Sequence, residues 1–301
     1  MAVAPLKIYN LPEFNNLELP AKSYLVDPII PCRGLVEIYS KTGVGKTTFA
    51  LTLGIAVALG KPFLKWSVPS KKRVLYIDGE MSPQDMQERA QAAAQFFGVD
   101  VSDVVDFRII NRDVNNGVLP DIGEVAGQNE FDAATKDADL IILDNLSTLR
   151  FTGRENEADS WSTVQRWLLN MRGQGKTVII LHHAGKDGTS RGTSRRHDAL
   201  DTVIKLKRPP DYLQSEGAVF EVHFEKSRSF FGDAAEPFGL SHAIVDGVSI
   251  WDKFLISDEN LQEAIRLVQQ GLKQTEIAER LGVSQSKVSK LLKSAKEDGL
   301  L

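Results

Sequence analysis

The chain has 301 residues, 42% hydrophobic and 25% charged, a composition typical of a soluble globular protein with about two domains. Its formal net charge of −4 excludes a wholly basic, nucleic-acid-coating protein, but not local basic patches. The single cysteine, Cys32, excludes an internal disulfide and a cysteine-held zinc site. Neither a signal peptide nor a membrane-spanning apolar stretch is recognisable, so we expect a cytoplasmic protein without a membrane partner.

The N-terminal region and the middle of the chain predict different structures. Residues 1–30 contain several prolines and are predicted to form an extended arm. Short apolar runs rich in β-branched residues then predict strands at 36–39, 74–77, 107–110, 140–143, 178–181, 203–206 and 219–224. Several of these runs are separated by helical patterns, at 47–59, 83–97 and 158–172. Strands that alternate with helices predict an α/β core over residues 31–255, with a mostly parallel sheet covered on both faces.

The C-terminal residues 258–301 predict a small all-α domain. One helix with apolar periodicity is followed by a second at 275–281 and by a third that Ser284 can cap. The glycine turn between the last two helices is typical of a helix-turn-helix module. We expect Gln285 and Lys287 to face outward and to contact DNA. The alternative is a three-helix lid or interaction domain that never touches DNA.

A glycine-rich segment, residues 40–47, lies directly between a predicted strand and a predicted helix. Its glycines let backbone N–H groups turn toward phosphates, and the helix N-terminus adds a partial positive charge. This context indicates a P-loop, in which Lys46 reaches the β- and γ-phosphates of ATP and Thr47 binds Mg²⁺. Ser40 replaces the first glycine, at a turn position and not among the groups that do chemistry. The alternative to a P-loop is a glycine-rich turn with a surface lysine. The predicted nucleotide contacts are Thr42, Gly43, Val44, Gly45, Lys46, Thr47, Thr48 and Asp144.

Two acidic residues follow apolar strands. Asp144 ends the run at 140–143 and would hold Mg²⁺ through water, unless it only caps the next turn. Glu80 follows the strand at 74–77 and can orient and deprotonate the attacking water. With these residues the chain resembles the RecA-like superfamily, in which the catalytic glutamate occupies this place. Other P-loop classes usually place the catalytic carboxylate beside the metal-binding aspartate. Here an asparagine follows Asp144, which favours Glu80 as the base, and Asp78 is the alternative.

Two histidines, His182 and His183, end the predicted strand at 178–181. In the RecA-like pattern a glutamine or histidine at this place contacts the γ-phosphate and reports its loss. We favour His183 over His182 for this catalytic role. A zinc site and a buried or capping histidine are the alternatives.

Lys226 and Arg228 follow the last predicted strand. A Lys-x-Arg at the end of a late strand resembles the trans-acting finger of hexameric RecA-like helicases of the DnaB and phage primase-helicase kind. The resemblance implies that Arg228, with Lys226 beside it, assists catalysis in the pocket of a neighbouring subunit. Two solvated charges on a loop are the alternative.

The segment 184–197 combines glycines, hydroxyl side chains and cations, the groups that usually contact nucleic-acid phosphates. It resembles the corresponding segment of the RepA-like replicative helicases of plasmids and phages. That resemblance implies a hexameric ring around single-stranded DNA. A flexible loop without a ligand is the alternative, and residues 150–154 are a weaker candidate for a second pore loop. The predicted DNA contacts in this segment are Lys186, Arg191, Arg195 and Arg196.

Three functions are compatible with these motifs. The leading hypothesis is an oligomeric, DNA-dependent ATPase that uses ATP and Mg²⁺, a replicative-type DNA helicase of a mobile element. The second is a DNA-binding regulator or initiator whose assembly is controlled by nucleotide. The third is a loader or defence ATPase that acts on a separate effector protein.

Overall fold

The computed structural model describes residues 6–150, 158–185, 195–209, 212–254, 256, 259–297 and 301. Its strands are β1 (Tyr24–Val26), β2 (Ile30–Pro31), β3 (Leu35–Ser40), β4 (Val74–Asp78), β5 (Phe107–Asn111), β6 (Leu140–Asp144), β7 (Thr177–His183), β8 (Thr202–Lys207), β9 (Ala218–Ser227), β10 (Phe238–Val245) and β11 (Val248–Phe254). Its helices are α1 (Leu11–Asn15), α2 (Lys46–Leu59), α3 (Pro83–Phe96), α4 (Val125–Thr135), α5 (Leu146–Leu149), α6 (Ala158–Gly173), α7 (Arg195–Asp198), α8 (Glu259–Gln269), α9 (Gln274–Leu281) and α10 (Gln285–Glu297). Within these ranges, none of the helices has both the length and the apolar character needed to cross a bilayer.

One large sheet organises the core. Its described strands follow the order β11-β10-β9-β8-β3-β7-β6-β4-β5. The strands from β8 to β5 in this order are mutually parallel, whereas β9, β10 and β11 extend the sheet antiparallel on one side. The predicted α/β class with a mostly parallel sheet is therefore confirmed, and each of the predicted runs forms a strand.

The β10–β11 hairpin was missing from the sequence-based expectation. Its two strands are joined by Asp246 and Gly247, both with positive φ, 51° and 77°. An Asp-Gly pair with positive φ at both residues is the turn chemistry that a tight hairpin requires, so a hairpin signal was present in the sequence.

Two hydrophobic layers cover the sheet. On one face α2 is almost entirely buried, and its Phe49 packs among the rings of Phe63, Phe220 and Trp251 at centroid distances of 5.6 to 6.4 Å. On the other face α6 buries Trp161, Val164, Trp167, Leu168 and Met171. Parallel strands buried on both faces carry continuous apolar runs, which explains why these strands were recognisable in the sequence.

The region preceding β3 has an exposed part and a buried part. The short helix α1 buries no residue, so the arm is locally helical at 11–15 instead of fully extended. The strands β1 and β2 pair with each other, and they and the turn between them contribute Leu25, Val26, Ile29 and Ile30 to the core around α2. The domain limits at residues 30 and 258 stay predictions.

The helices α8, α9 and α10 share a small core of their own, formed by Ala264, Leu267, Ile277, Val288 and Leu292. Gly282 ends α9 in the left-handed conformation, with φ of 64°, and lets the chain turn into α10. The predicted all-α helix-turn-helix domain is therefore confirmed.

Candidate active site

The carboxyl ends of the parallel strands bring the predicted catalytic residues together. In the sheet register Ser40 at the end of β3 pairs with His183 at the end of β7, and Asp78 at the end of β4 pairs with Asp144 at the end of β6. Side chains that are far apart in sequence therefore meet at one edge of the sheet, the place where open α/β sheets bind ligands.

The glycine-rich loop connects β3 to α2. Gly43 and Gly45 have φ values of 76° and 129°, a region that other residues rarely adopt. A Cβ atom on Gly45 would lie 2.9 Å from the Phe220 ring of β9, so the loop also needs glycine for its close approach to that strand. The loop ends at the N-terminus of α2, where backbone N–H groups attract anions.

Lys46 is the buried cation of this site, with 6% of its surface exposed. Its Nζ donates to the Ser40 carbonyl oxygen at 3.4 Å and to Ser40 Oγ at 3.1 Å. Burial lowers the pKa of Lys46, and the nearby carboxylates of Asp144 and Glu80 partly offset this effect. The expectation that Ser40 stands apart from the chemical groups is wrong, because its hydroxyl contacts the lysine directly.

Thr47 and Asp144 could hold a divalent cation. Thr47 Oγ1 donates to Asp144 Oδ2 at 2.7 Å, and the Tyr76 hydroxyl donates to the same oxygen at 2.6 Å. Asp144 is 3% exposed, and burial raises its pKa, an effect that the hydrogen bonds from Tyr76 and Thr47 partly offset. A hydroxyl and a carboxylate in contact form the oxygen donor set that Mg²⁺ prefers, so these residues fit the predicted metal.

Asn145 joins Glu80 to His183 and was not predicted as a site residue. Its Oδ1 accepts hydrogen bonds from the N–H groups of Ser147 and Thr148 at 3.0 and 3.2 Å, which cap α5. Since those N–H groups only donate, the amide Nδ2 must face the other way, where it donates to Glu80 and lies 3.1 Å from His183 Nε2. A polar residue immediately after Asp144 was the signal available in the sequence.

His183 faces the pocket, whereas His182 is completely buried in the sheet. The Nδ1 atom of His183 lies 3.3 Å from both Lys46 Nζ and Thr42 Oγ1. Its Nε2 lies 3.6 Å from Glu80. Burial, followed by the charge of Lys46, lowers the pKa of His183, which favours the neutral imidazole.

Asp78, the alternative base, is fully buried beneath the turn that carries Glu80. Its carboxylate accepts from Asn111 Nδ2 at 2.6 Å and from the N–H of Met81 at 3.2 Å. Burial raises the pKa of Asp78 to about 6, although these hydrogen bonds oppose the shift. The carboxylate therefore holds the turn in place, whereas Glu80 is exposed toward the cavity.

A cavity of about 750 Å³ opens beside the P-loop, within the size range of small-molecule sites. Its far side is formed by α3, by the start of β9 and by the unpredicted strand β10. Arg89 of α3 donates to Thr48 Oγ1 at 3.2 Å, and the His242 ring of β10 packs against Trp251 with centroids 4.4 Å apart and planes tilted by 47°. Burial, followed by the charge of Arg89, lowers the pKa of His242 to about 4. The residues of this far side are Asp85, Glu88, Arg89, Ala218, His242, Ala243 and Ile244.

The predicted finger residues lie at the opposite edge of the sheet. Because β9 runs antiparallel to β8, Lys226 pairs with Val203, near the start of β8, and not with the end that adjoins the P-loop. Lys226 donates to the carbonyl oxygen of His197, and Arg228 donates to that of Asp198, both in α7. Burial, followed by the charge of Arg228, lowers the pKa of Lys226. The structure therefore keeps both cations away from their own nucleotide cavity.

The predicted DNA contacts are only partly within the described residues. Lys186 and Arg191 lie outside them, as do positions 151–154 of the second candidate loop. Arg195 and Arg196 belong to α7 at the edge opposite the cavity. In the C-terminal domain Gln285 is exposed at the start of α10, and Lys287 follows in the same helix.

Similarity to known structures supports the fold described above. A KaiC-like protein from the hyperthermophilic archaeon Pyrococcus horikoshii OT3 superimposes with a TM-score of 0.51 and 17% sequence identity. The match covers 76% of this chain and 93% of that chain. At this identity the likeness establishes a RecA-like fold alone.

Sequence families identify the ATPase core. A family described as an AAA domain matches residues 5–189, and a family described as a homeodomain-like domain matches residues 257–301. No curated protein sequence is significantly similar to the chain. Since the first match covers more than half of the 301 residues, the chain belongs to the AAA-domain family: it is a RecA-like P-loop ATPase with a C-terminal helix-turn-helix domain.

Proposed function

We propose that the protein is an oligomeric, DNA-dependent ATPase that acts as a replicative-type DNA helicase of a mobile element. The location of Lys226 and Arg228 carries this proposal. Ser227, between them, is in register with Thr202 and, through β8, with Val36 at the start of β3. The P-loop begins at Ser40, four strand residues or about 13 Å further along. Cations at that edge can complete a nucleotide pocket only if the pocket belongs to another subunit.

Within one subunit, different described residues have different roles in ATP hydrolysis. Lys46 and the P-loop N–H groups hold the phosphates, and Glu80 accepts the proton of the attacking water. Asn145 keeps the Glu80 carboxylate beside His183, so proton acceptor and γ-phosphate sensor share one hydrogen-bonded unit. Thr47 and Asp144 would hold Mg²⁺, which would neutralise charge on the phosphates.

The far side of the cavity supports a subsite for the nucleobase. His242, whose lowered pKa keeps it neutral, and Ile244 offer flat and apolar surface, and Arg89 offers a guanidinium plane. Such groups stack on aromatic bases. A cavity of about 750 Å³ accommodates a nucleoside triphosphate.

Exposed apolar side chains in the arm support self-association into a ring, with six subunits as in the helicases it resembles. Leu6, Ile8 and Leu11 are 90%, 89% and 79% exposed, and Phe14 and Leu19 are more than half exposed. Several exposed large apolar residues in one short segment are typical of a protein–protein contact surface. A second copy of the chain is the partner that the finger residues also require.

The basic segment supports a link between nucleotide and DNA. The chain leaves the cavity at His183 and reaches the opposite edge at α7, where Lys226 and Arg228 hold the last carbonyl groups of that helix. A strand of DNA bound by the segment that joins these points would therefore be linked through the chain to both the γ-phosphate sensor and the finger.

The test combines native mass measurement, an ATPase assay and a DNA-unwinding assay. We expect native mass measurement with ATP to give a closed oligomer, single-stranded DNA to raise the ATPase rate, and a forked duplex to be unwound. Glu80→Gln protein is the matched control, because it retains the binding groups and loses the proton acceptor. Hydrolysis that DNA leaves unchanged, together with no unwinding at any salt concentration, would refute the helicase proposal and leave the ATPase intact.

A second candidate function is supported by the independent core of α8, α9 and α10 and by the exposed Gln285. Here the C-terminal domain binds a duplex site, and nucleotide controls assembly there, as in a regulator or initiator. Sequence-specific duplex binding that is lost on deletion of residues 258–301, without unwinding, would favour this function over the helicase. Six copies on one ring would raise the affinity of a weak single module through avidity.

A further inference from the structure

The guanidinium of Arg208 ties the P-loop to the connection between β8 and β9. Its Nη2 donates to the carbonyl oxygen of Gly43 at 2.7 Å. Its Nη1 donates to the carbonyl oxygens of Gly217 and Val219 at 2.7 and 2.9 Å. The ring of Tyr212 lies against the guanidinium, with its centroid 3.7 Å from Cζ. One side chain therefore fixes the P-loop tip relative to the strand that lines the nucleotide cavity.

The bond to Gly43 also sets the direction of the next N–H group. The Gly43–Val44 peptide is trans, so its carbonyl and the Val44 N–H point in opposite directions. Gly43 and Gly45 line the nucleotide cavity, whereas Val44 and Arg208 line a separate cavity of about 270 Å³ behind the loop. With its carbonyl held by Arg208 at the back, this peptide directs the Val44 N–H toward the nucleotide.

An anchor is needed at this point because Gly43 is conformationally free. Its φ is 76°, and a Cβ atom there would meet nothing within 4 Å, so neither sterics nor packing restrains it. Without a partner for its carbonyl, the peptide could rotate and present oxygen, not N–H, to the phosphates. A carbonyl oxygen facing a phosphate oxygen is repulsive, whereas an N–H donor is attractive.

We propose that Arg208 is a positioning residue for nucleotide binding, which preorganises the Val44 N–H in the phosphate cradle. Backbone N–H groups of a P-loop contact the α- and β-phosphates. ADP and ATP should therefore depend on Arg208 equally, while the hydrolytic step itself should not. The proposal depends on the ATPase activity of the chain and is independent of DNA binding and ring formation.

The test compares nucleotide affinity and turnover in Arg208→Ala, Arg208→Lys and Lys207→Ala full-length proteins. Lys207 is the matched control, since it is the adjacent cation, is half exposed and lies 3.6 Å from Glu221. For Arg208→Ala we expect the Kd of fluorescent ADP and the KM of ATP to rise together by about ten- to a hundredfold, the size of one charge-assisted hydrogen bond. The kcat at saturating ATP should stay within about twofold, and Lys207→Ala should resemble the unmodified protein.

Arg208→Lys separates geometry from charge. It keeps the positive charge, but a single ammonium group cannot reproduce the planar fork that reaches three carbonyl groups. We expect it to bind nucleotide as weakly as Arg208→Ala; full rescue by lysine, or unchanged ADP affinity in Arg208→Ala, would overturn the proposal. Should Arg208→Ala fail to fold, Tyr212→Leu keeps the donors and removes the ring beneath them. That variant should show a smaller, parallel loss for ADP and ATP, and no loss would count against the proposal.

Discussion

The two edges at which the strands of the sheet end differ in how much of a nucleotide site each contains. At the carboxyl edge Lys46, Thr47, Glu80, Asp144 and His183 form one connected group within a single chain. At the opposite edge, within the part of the chain that the structure describes, the two predicted finger cations donate to backbone carbonyl groups of their own α7. We therefore expect the carboxyl edge to bind nucleotide within one chain, whereas the proposed function gives the opposite edge a catalytic role only against a second subunit.

Among the substitutions that test this difference between the two edges, that of Arg228 should change the ATPase rate most. If the opposite edge serves a neighbouring pocket, Arg228→Ala removes a cation worth ~10³–10⁵ in kcat, or about 4–7 kcal/mol of barrier. The measurement is the steady-state ATPase rate of the assembled oligomer. The control is Arg108→Ala, which removes an exposed cation from β5, the last strand in the sheet order. This variant should retain full activity.

A mixing experiment shows whether that effect acts between subunits. Arg228→Ala subunits keep an intact pocket, and Lys46→Ala subunits keep an intact finger. Each protein alone should be inactive, whereas mixed oligomers should recover part of the activity. Mixed oligomers, verified by mass, that remain inactive would show that Arg228 does not serve a neighbour.

Glu80→Gln should have the next largest effect, at the carboxyl edge. Loss of the proton acceptor should lower kcat by ~10²–10⁴ while ATP still binds, because Lys46 and the P-loop are unchanged. Asp78→Asn is the informative comparison, since Asp78 is buried and holds the turn through Asn111 and Met81. A larger kcat loss in Asp78→Asn, with unchanged thermal stability, would reverse the assignment.

Lys176→Met tests whether cations at the opposite edge can be purely structural. Lys176 is 7% exposed and donates to the carbonyl oxygens of Thr135, Lys136 and Ala138 at 2.5, 2.9 and 3.2 Å. Its removal leaves buried carbonyl groups without a donor, so we expect a loss of about 1–3 kcal/mol in unfolding free energy. Denaturant titration measures this loss. The kcat at low temperature should not change, in contrast to Arg228→Ala.

The smallest expected effect is a pH dependence at the wall of the cavity. Burial and Arg89 lower the pKa of His242 from 6.5 to about 4, so the unfolded chain binds a proton at this residue before the folded chain does. Stability should therefore fall as the pH decreases from about 6.5 to 4. His242→Gln should flatten that part of the curve of unfolding midpoint against pH. His223, whose side chain is 31% exposed, offers a control, and an identical effect of His223→Gln would contradict the assignment.

Much of the carboxyl edge could be predicted because it is encoded locally. Each predicted strand is a short apolar run, and Glu80, Asp144 and His183 each follow such a run. Once the strands are parallel, their ends must meet, so the proximity of these side chains follows from the pattern. Asn145 could not be assigned in the same way, because the direction of its amide depends on the N-terminus of α5, which it caps.

The position of β10 at the cavity wall and the orientation of Lys226 and Arg228 could not be predicted, because both depend on the order and direction of the strands in the sheet. The Asp246–Gly247 turn signals a hairpin, but nothing local indicates that β10 lies beside β9 and faces α3. Likewise, the contact of Arg208 with Gly43 joins residues 165 positions apart. Such contacts arise from sheet order, which is a property of the whole packed core.

The sequence by itself determined the α/β class, the P-loop, the acidic strand ends and the helix-turn-helix domain, because periodicity and glycine positions act over a few residues. Only the tertiary structure decided that Ser40 contacts Lys46, that Asn145 links Glu80 to His183, and that Lys226 and Arg228 face away from their own pocket. The physical reason is that the direction of a strand within the sheet is not encoded locally. A strand pattern does not specify whether β9 runs parallel or antiparallel to β8, and that direction decides which edge its terminal cations occupy.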